Sequence, residues 1–305
     1  MISRLIARRL VLSIFVILGV TVVVFVVIHL SGDPTGLMLP PEASEAEIVQ
    51  FRHQMGFDQP LFVQFWKFFA HAVRGDFGQS LQYREPALGL VLERLPATIQ
   101  LTLAALFVAV AAAIPLGVVS AVKRNSIVDN AAMFLALFGQ SMPIFWLGIV
   151  LILVVSVRWQ LLPSSGAGGI QYLILPGLTL GLYTTARITR LVRAEMLEVL
   201  GQDYLRTARA KGLRGRTVVW RHALRNAMLP VITMIGLEAG SMLGGAIITE
   251  TVFAWPGVGQ LVVGAIFNRD YPVVQAAVFT IAVMFVLVNL GVDILYTVID
   301  PRVRP

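Results

Sequence analysis

The chain has 305 residues, of which 57% are apolar and 13% are charged, whereas ordinary soluble domains are about half apolar and a quarter charged. This composition excludes an ordinary water-soluble domain. The sequence contains no cysteine, which excludes disulfides, iron–sulfur clusters and thiolate metal sites. The formal charge of +7 is compatible with nucleic acid or with an anionic membrane surface, so its distribution along the chain must decide.

Six apolar runs along the chain are candidates for membrane-spanning helices, which need about 20 mostly apolar residues to cross a hydrocarbon core of ~30 Å. The runs are 10–30, 98–122, 131–157, 170–186, 229–253 and 273–298. The first is too long for a secretory signal and lacks a small-residue cleavage pattern, so it is predicted to stay as a span. Pro115, Pro143 and Pro176 predict kinks. The pattern predicts an all-α polytopic membrane protein with six transmembrane helices.

Six spans place both ends of the chain on one side of the membrane. Most of the 24 lysine and arginine residues then lie on that side, and residues 187–228 form its most basic segment. Because basic loops stay cytoplasmic, both termini are predicted to be cytoplasmic. Topology explains most of the net charge, so contact with membrane lipid is expected and nucleic acid binding is not. The chain divides into a first span at 1–30, an extracytoplasmic helical insertion at 31–96 and a five-span core at 97–305.

The outer insertion contains two predicted helices. Ser44 and Glu47 have the spacing of a capping box that opens a helix, and Gly56 can close it. A second helix is predicted to begin after Pro60. Its apolar side chains lie on one face, as expected of a helix that docks on the protein or rests at the membrane interface. These side chains are Leu61, Phe65, Phe68, Phe69 and Ala72.

The inner segment 187–228 is predicted to hold a short helix from 204 to 211. Asp203 can cap its N-terminus, and Gly212 can take the left-handed position after its last turn. A helix of this length is marginal alone in water, so another surface must pack on it. Thr207, Ala208 and Lys211 are predicted to share one side. Two interpretations are compatible with that surface: insertion into a groove of another protein, or a basic segment resting on anionic lipid.

The inner segment resembles the cytoplasmic coupling loop of dipeptide/oligopeptide-type permeases of ABC importers. The resemblance rests on residues 204–213, YLRTARAKGL, followed by HALRNA at 222–227 and LPVIT at 229–233. Further matching blocks occur in order along nearly the whole chain. They are 32–34, 75–78, 141–147, 175–176 with 179–181, 250–253 with 255–257, 269–272 and 300–302. One departure is that Arg206, Thr207 and Ala208 occupy the place of the Glu-Ala-Ala of the broader importer pattern, as in the peptide-type branch.

The resemblance implies a type I ABC importer permease fold and a bacterial inner membrane location. It implies that the loop helix docks into a cytoplasmic ATPase. The coupling residues are then Tyr204, Arg206, Thr207, Ala208, Arg209, Lys211, Gly212 and Leu213. The implied partners are a paralogous second permease, two ATPase subunits or domains and an extracytoplasmic solute-binding protein. Di- or oligopeptides are the expected solutes, although similar permeases also serve nickel chelates and glutathione.

Polar residues inside the predicted spans are candidates for a solute path, because an ionisable group there is costly. Glu238 is assigned to the path, whereas Asp293 is expected to pair with Arg187 or Arg190. Gly240 and Gly244 follow Gly236 on the Glu238 helix and either line the path or admit a neighbouring helix. Gln140 and Ser141, beside Pro143, can likewise line the path or bond across helices.

The sequence shows no catalytic constellation. Its four histidines are scattered without paired-ligand spacing, and no Gly-x-x-x-x-Gly-Lys-Ser/Thr loop is present, so no cofactor is expected on this chain and ATP with Mg²⁺ is assigned to a partner ATPase. A self-powered carrier or channel is the main alternative. A membrane-embedded enzyme and a structural scaffold are further alternatives.

Overall fold

The computed structural model describes residues 2–30, 44–55 and 58–299, and within these ranges the chain is almost entirely helical. Twelve α-helices follow one another in the described residues. They are α1 Ile2–Leu30, α2 Glu45–Met55, α3 Leu61–Val73, α4 Ala87–Val122, α5 Ile127–Ser141, α6 Ile144–Leu151, α7 Gln171–Leu200, α8 Asp203–Ala210, α9 Gly215–Thr217, α10 Leu224–Val252, α11 Val258–Phe267 and α12 Tyr271–Ile299. Two π-helical segments extend this set, Ile152–Arg158 after α6 and Val218–Ala223 between α9 and α10.

Three continuous helical stretches in the described residues are long and apolar enough to cross a membrane: Ala87–Val122, Gly215–Val252 and Tyr271–Ile294. The pair Ile127–Ser141 and Ile144–Arg158 supplies a fourth if it is counted as one bent span. In α1 the described apolar stretch is Val11–Val27, which is shorter, and in α7 threonines and glycines interrupt the leucines. A mostly helical membrane protein is therefore confirmed, and the count of six stays a prediction.

The run 131–157 is not one kinked helix as predicted, because α5 and α6 meet at an angle of 103°. The break falls at Met142, which is extended at φ −83° and ψ 133°. The residue before a proline is driven out of the helical region by the proline ring, and Pro143 then starts a new helix. Pro115 and Pro176, by contrast, lie inside the continuous helices α4 and α7.

The core forms where α4 and α7 run side by side in the same direction. Their closest approach is made by glycines: a methyl group on Gly181 would lie 2.6 Å from the Ala105 carbonyl oxygen, and one on Gly117 would lie 2.6 Å from Val192. Buried alanines continue this face of α4. Because small residues let two backbones approach closely, the two helices pack as one unit.

Residues 187–200, predicted to lie in the inner loop, are instead the second half of α7.

The other long helices alternate in direction. Glu238 of α10 contacts Arg187 of α7 while Gly245 lies near Leu180, so α10 runs antiparallel to α7. Helix α12 runs antiparallel to α10, since Gly240 lies near Phe285 and Gly236 lies against Val292. Leu12 of α1 and Asp293 near the end of α12 line one pocket, so the beginning of α1 and the end of α12 both lie at the end of the molecule that carries α8.

The first predicted helix of the insertion, α2, is confirmed. The Glu47 backbone N–H donates to the Ser44 hydroxyl at 3.3 Å, and the Ser44 backbone N–H donates to the Glu47 carboxylate at 2.8 Å. This reciprocal bonding is a capping box. The Ser44 bonds lower the pKa of Glu47. The predicted stop at Gly56 lies outside the described residues.

The second outer helix, α3, docks on the first span rather than standing free. Phe65 and Phe68 pack on Phe25 of α1, with ring centroids 5.5 and 5.9 Å apart respectively. Phe68 also contacts Phe77, which in turn packs on Phe279 of α12. Aromatic contacts thus join the insertion to both the first and the last long helix.

Candidate functional site: the loop helix and the charged layer

The loop helix is α8, and it starts one residue earlier than predicted. Gln202 occupies the N-cap position without a side-chain hydrogen bond, and Asp203 is the first helical residue. The prediction of Asp203 as the cap is therefore wrong. Its carboxylate lies in the first turn, where negative charge is favoured by the helix dipole, and Arg206 lies 3.4 Å away from it.

Gly212 ends the helix as predicted. It has a φ of 79°, its N–H donates to the Arg209 carbonyl at 3.0 Å, and the Leu213 N–H donates to the Ala208 carbonyl at 3.3 Å. This pair of bonds is the Schellman motif, which satisfies the last carbonyls of a helix. Two residues beyond the end of the helix are thereby fixed in place.

One side of α8 is fastened to the long helices. The Leu205 side chain is completely buried in a cluster with Val218 and Ala223, and Asn226 donates a 2.7 Å hydrogen bond to the Tyr204 hydroxyl. Ala208 is half-buried against the same cluster. This packing supplies the surface that an eight-residue helix needs in order to persist.

The other side of α8 is exposed and cationic. Arg206, Arg209 and Lys211 are exposed, and Leu213, 40% exposed, adds an apolar side chain beyond Gly212. Thr207 is also exposed, although its hydroxyl donates to the Asp203 carbonyl at 3.3 Å. Of the predicted coupling residues, Ala208 thus faces the protein interior more than the free surface. The free surface includes three cations, one threonine and one leucine, with the exposed Asp203 carboxylate beside Arg206.

Helix α7, which precedes α8 in the chain, carries arginines at 187, 190 and 193. These three arginines and the residues bonded to them form the charged layer. Arg187 donates a 2.7 Å hydrogen bond to Glu238, whose side chain is only 5% exposed. Thr184 also donates to the Glu238 carboxylate, at 3.3 Å. Glu238, predicted to line a solute path, is therefore bonded to α7. The expectation that Asp293 pairs with Arg187 or Arg190 is wrong for the described residues, in which Arg187 forms an ion pair with Glu238 and Arg190 donates a hydrogen bond to Gln140.

Arg193 forms the second ion pair of the layer. Its Nε and Nη2 atoms each lie 2.7 Å from an oxygen of Asp129 on α5, and the Ser120 hydroxyl of α4 donates to the same carboxylate. A guanidinium–carboxylate pair with two parallel hydrogen bonds holds both side chains in one relative orientation and also brings their opposite charges together. This pair joins α4, α5 and α7. Sequence reasoning missed Asp129 because it falls in a predicted loop, although Ser126, which caps α5, was a recognisable helix start.

Arg190, the middle arginine, has a neutral partner. Its Nη2 atom donates a 2.5 Å hydrogen bond to the Gln140 side-chain oxygen. Gln140 lies near the end of α5, just before the sharp bend. Ser141 is exposed and donates to the Leu137 carbonyl at 2.9 Å. Of the two residues predicted here for the path, Gln140 therefore joins the charged layer and Ser141 bonds within its own helix.

The glycines of α10 have two different environments. A methyl group on Gly236 would collide with Val292, and one on Gly240 would lie 3.2 Å from the Phe285 ring. These two glycines admit α12. Gly244, in contrast, has no neighbour within 4 Å of a methyl group placed on it and is exposed. Packing against α12 accounts for Gly240, and Gly244 stays a predicted path residue.

A second buried carboxylate, Glu250, holds together the end of the molecule that is opposite α8. It accepts hydrogen bonds from the Thr98 hydroxyl of α4 at 2.7 Å and from the Gln260 N–H at the start of α11 at 3.1 Å. Gly257 and Gly259 leave room for it, because a methyl group on either would collide with its carboxylate. The 250–257 block is thus structural, a role that spacing alone did not reveal.

Comparison with known proteins defines the class. Residues 113–305 match the family described as "Binding-protein-dependent transport system inner membrane component", and residues 1–102 match the N-terminal domain of such components. A chain of the MetNI methionine ABC transporter, in an inward facing conformation, shares the fold with a TM-score of 0.58 at 19% identity, covering 69% of this chain and 96% of that chain. The fold is that of a type I ABC importer permease.

Two curated relatives are similar over almost their whole length. The dipeptide transport system permease protein DppB of Escherichia coli K12 is 43% identical, covering 99% of this chain and 98% of the relative. The glutathione transport system permease protein GsiC of the same strain is 46% identical, covering 93% and 94%. The chain therefore belongs to the binding-protein-dependent transport system inner membrane components. It is a multi-pass permease subunit of an ATP-driven importer, and the ATPase is a separate subunit.

Proposed function

We propose that this chain imports short peptides. The proposal is supported by the two relatives, whose names specify dipeptide and glutathione, both of which are small peptides with free carboxylates. An extracytoplasmic binding protein delivers the solute, and a second, paralogous permease completes the path. Two ATPase subunits or domains bind ATP and Mg²⁺ on the inner side. Both termini of the chain and α8 face the cytoplasm.

The exposed cationic side of α8 docks into a cleft of the ATPase. The observation that carries this assignment is the two-sided character of the helix: Leu205 is buried in the core cluster while Arg206 and Lys211 are exposed. A helix fixed on one side can transmit a displacement of its other side to the spans. Closure of the ATPases on nucleotide then moves α8 together with α7 and α10, which reorients the solute path from outside to inside.

The double variant Arg206→Glu and Lys211→Glu tests the docking. Both side chains are exposed, so the fold should persist, while reversed charges at the contact should lower ATPase retention and peptide uptake by at least about tenfold. The control is Arg216→Glu, which changes an exposed residue of the same segment. It should retain both ATPase binding and peptide uptake. Co-purification of the ATPase and uptake into proteoliposomes are the measurements. Full ATPase retention and uptake in the double variant would refute the docking face.

Energy coupling is tested with the reconstituted assembly. Peptide uptake should require the ATPase subunits and hydrolysable ATP, and this chain alone in liposomes should move no peptide. Uptake by the chain alone would favour the self-powered carrier. An assembly that hydrolyses ATP but carries no peptide of two or three residues would refute the proposed solute class.

A further inference from the structure

The charged layer has more positive than negative charge. Arg187 and Arg193 are each paired with one buried carboxylate. Arg190 meets only the Gln140 amide, and no carboxylate in the described part of the chain lies within 4 Å of it. Asp293 belongs to a different region, a pocket between α1 and α12 that Leu12, Ser13 and Val16 also line. One guanidinium charge in the layer is therefore uncompensated.

The position of that charge is unusual. Gln140 lies near the far end of α5, about 20 Å along the helix axis from Ile127, and Gly139 lies beside Leu182 of α7. Arg190 comes after the predicted end of its span at 186, yet its side chain reaches back toward Gln140. Arginines near a span end normally extend to the interface. Arg190, which is exposed in this chain, points the other way, back along α7 toward its predicted span.

A guanidinium beside a predicted span must face water, a partner or a ligand, because contact with lipid is costly. The Gln140 oxygen orients the guanidinium with one hydrogen bond and leaves its remaining donors free. Guanidinium groups bind carboxylates by two parallel hydrogen bonds. Gln140 also lies beside the sharp break at Met142, where α5 and α6 diverge and cannot cover the site as a straight helix would.

We propose that Arg190, oriented by Gln140, binds a carboxylate of the peptide inside the translocation path. This inference rests on the proposed function, because only a solute with a carboxylate fits the site. The site takes one anionic group per solute and does not depend on the side chains of the peptide. Dipeptides with different side chains would thus all be held by the same group, their carboxylate.

The test uses the complete assembly in proteoliposomes, with binding protein saturated with a dipeptide, and measures peptide taken up per ATP hydrolysed. Arg190→Gln should lower this ratio about tenfold, as expected for loss of a charge-assisted hydrogen bond, while ATP hydrolysis stimulated by the liganded binding protein stays within about twofold of wild type. Arg190→Lys, which keeps the charge but cannot form two parallel hydrogen bonds, should recover only part of the ratio. Arg158→Gln, an exposed arginine at the other end of the spans, is the matched control.

Each result decides between alternatives. An unchanged ratio in Arg190→Gln would overturn the carboxylate site and leave the proposed function intact. Loss of assembly, or of stimulated ATP hydrolysis, in the same variant would make Arg190 a contact with the second permease and would also overturn the site. Absence of peptide uptake by the wild-type assembly would instead refute the proposed function itself.

Discussion

Leu205 and Leu213 lie eight positions apart and have opposite environments. Leu205 is completely buried beneath α8, and Leu213 is 40% exposed just beyond it. Between them Gly212 takes a φ of 79°, a conformation that costs other residues roughly 1–2 kcal/mol. The three residues therefore contribute differently, since Leu205 holds the helix against the core, Gly212 ends it, and Leu213 extends the exposed surface.

Leu205→Ala should release α8 from the long helices. Removing a buried leucine side chain costs about 2–5 kcal/mol, which is enough to make an eight-residue helix fray because little else holds it. Amide hydrogen exchange at 203–213 should accelerate, and peptide uptake should fall although the exposed cations are unchanged.

Leu213→Ala is the matched control for this change. It removes the same atoms from an exposed position, so exchange at 203–213 should stay near that of wild type. If Leu205→Ala left exchange and uptake unaltered, the buried contact would not be what joins the loop helix to the spans.

At the scale of elements, the contact between α4 and α7 determines how the core is built. Gly117 and Gly181 bring backbone against backbone, and Arg193 ties α7 to Asp129 of α5 through two 2.7 Å hydrogen bonds. Removing one partner of a buried ion pair costs about 3–5 kcal/mol, so these helices are held as a unit. Motion of α8 is then transmitted to several long helices rather than to one.

Gly117→Ala should destabilise this unit. An added methyl group would lie 2.6 Å from Val192 and 2.8 Å from the Thr189 carbonyl oxygen, so the two helices must separate, at a cost of about 1–3 kcal/mol typical of overpacking. The melting temperature of the protein in detergent should fall by several degrees, by roughly 2–4 °C for each kcal/mol in a chain of this size class.

Gly19→Ala provides the comparison, because a methyl group on Gly19 of α1 has no neighbour within 4 Å. Alanine is favoured over glycine inside a helix by about 1 kcal/mol, so this variant should melt at the same or a higher temperature. Equal melting of the two variants would show that the tight contact between α4 and α7 does not limit stability.

For the whole molecule, the alternation of helix directions places α8, the start of α1 and the end of α12 at one end. Residues 61–77 lie at the other end, joined to α1 and α12 by contacts among Phe25, Phe68, Phe77 and Phe279. The excess of basic residues on the α8 side predicts which end is cytoplasmic. The absence of cysteine from the sequence makes this orientation directly measurable.

Single cysteines at Lys211 and Arg158, both exposed, should report opposite sides of the membrane. A membrane-impermeant maleimide added to spheroplasts should label Arg158→Cys at once and Lys211→Cys only after permeabilisation. The unmodified protein, which has no thiol, gives the background. The reverse labelling pattern would invert the topology and remove the basis for ATPase docking by α8.

Features that depend on neighbouring residues could be predicted from the order of the amino acids. Apolar runs predicted the long helices, Ser44 with Glu47 predicted a helix start, and Gly212 predicted a helix end, because these signals act through hydrogen bonds and solvation within a few positions. The ordered blocks in 32–302 indicated the family by their resemblance to known permeases. Ala208 shows the limit of local reasoning: periodicity placed it on the docking side, but core packing half-buries it.

Contacts between groups that are distant in the chain could not be predicted before the packing of the helices was known. Arg187 and Glu238 are 51 positions apart, and Arg193 and Asp129 are 64 apart, so helix packing alone selects these partners. The 103° break at Met142 likewise needed the three-dimensional path of the chain, since Pro115 and Pro176 produce no such break. The uncompensated charge of Arg190 becomes visible only after both buried carboxylates have been assigned to its neighbours, because charge balance is a property of the packed helices.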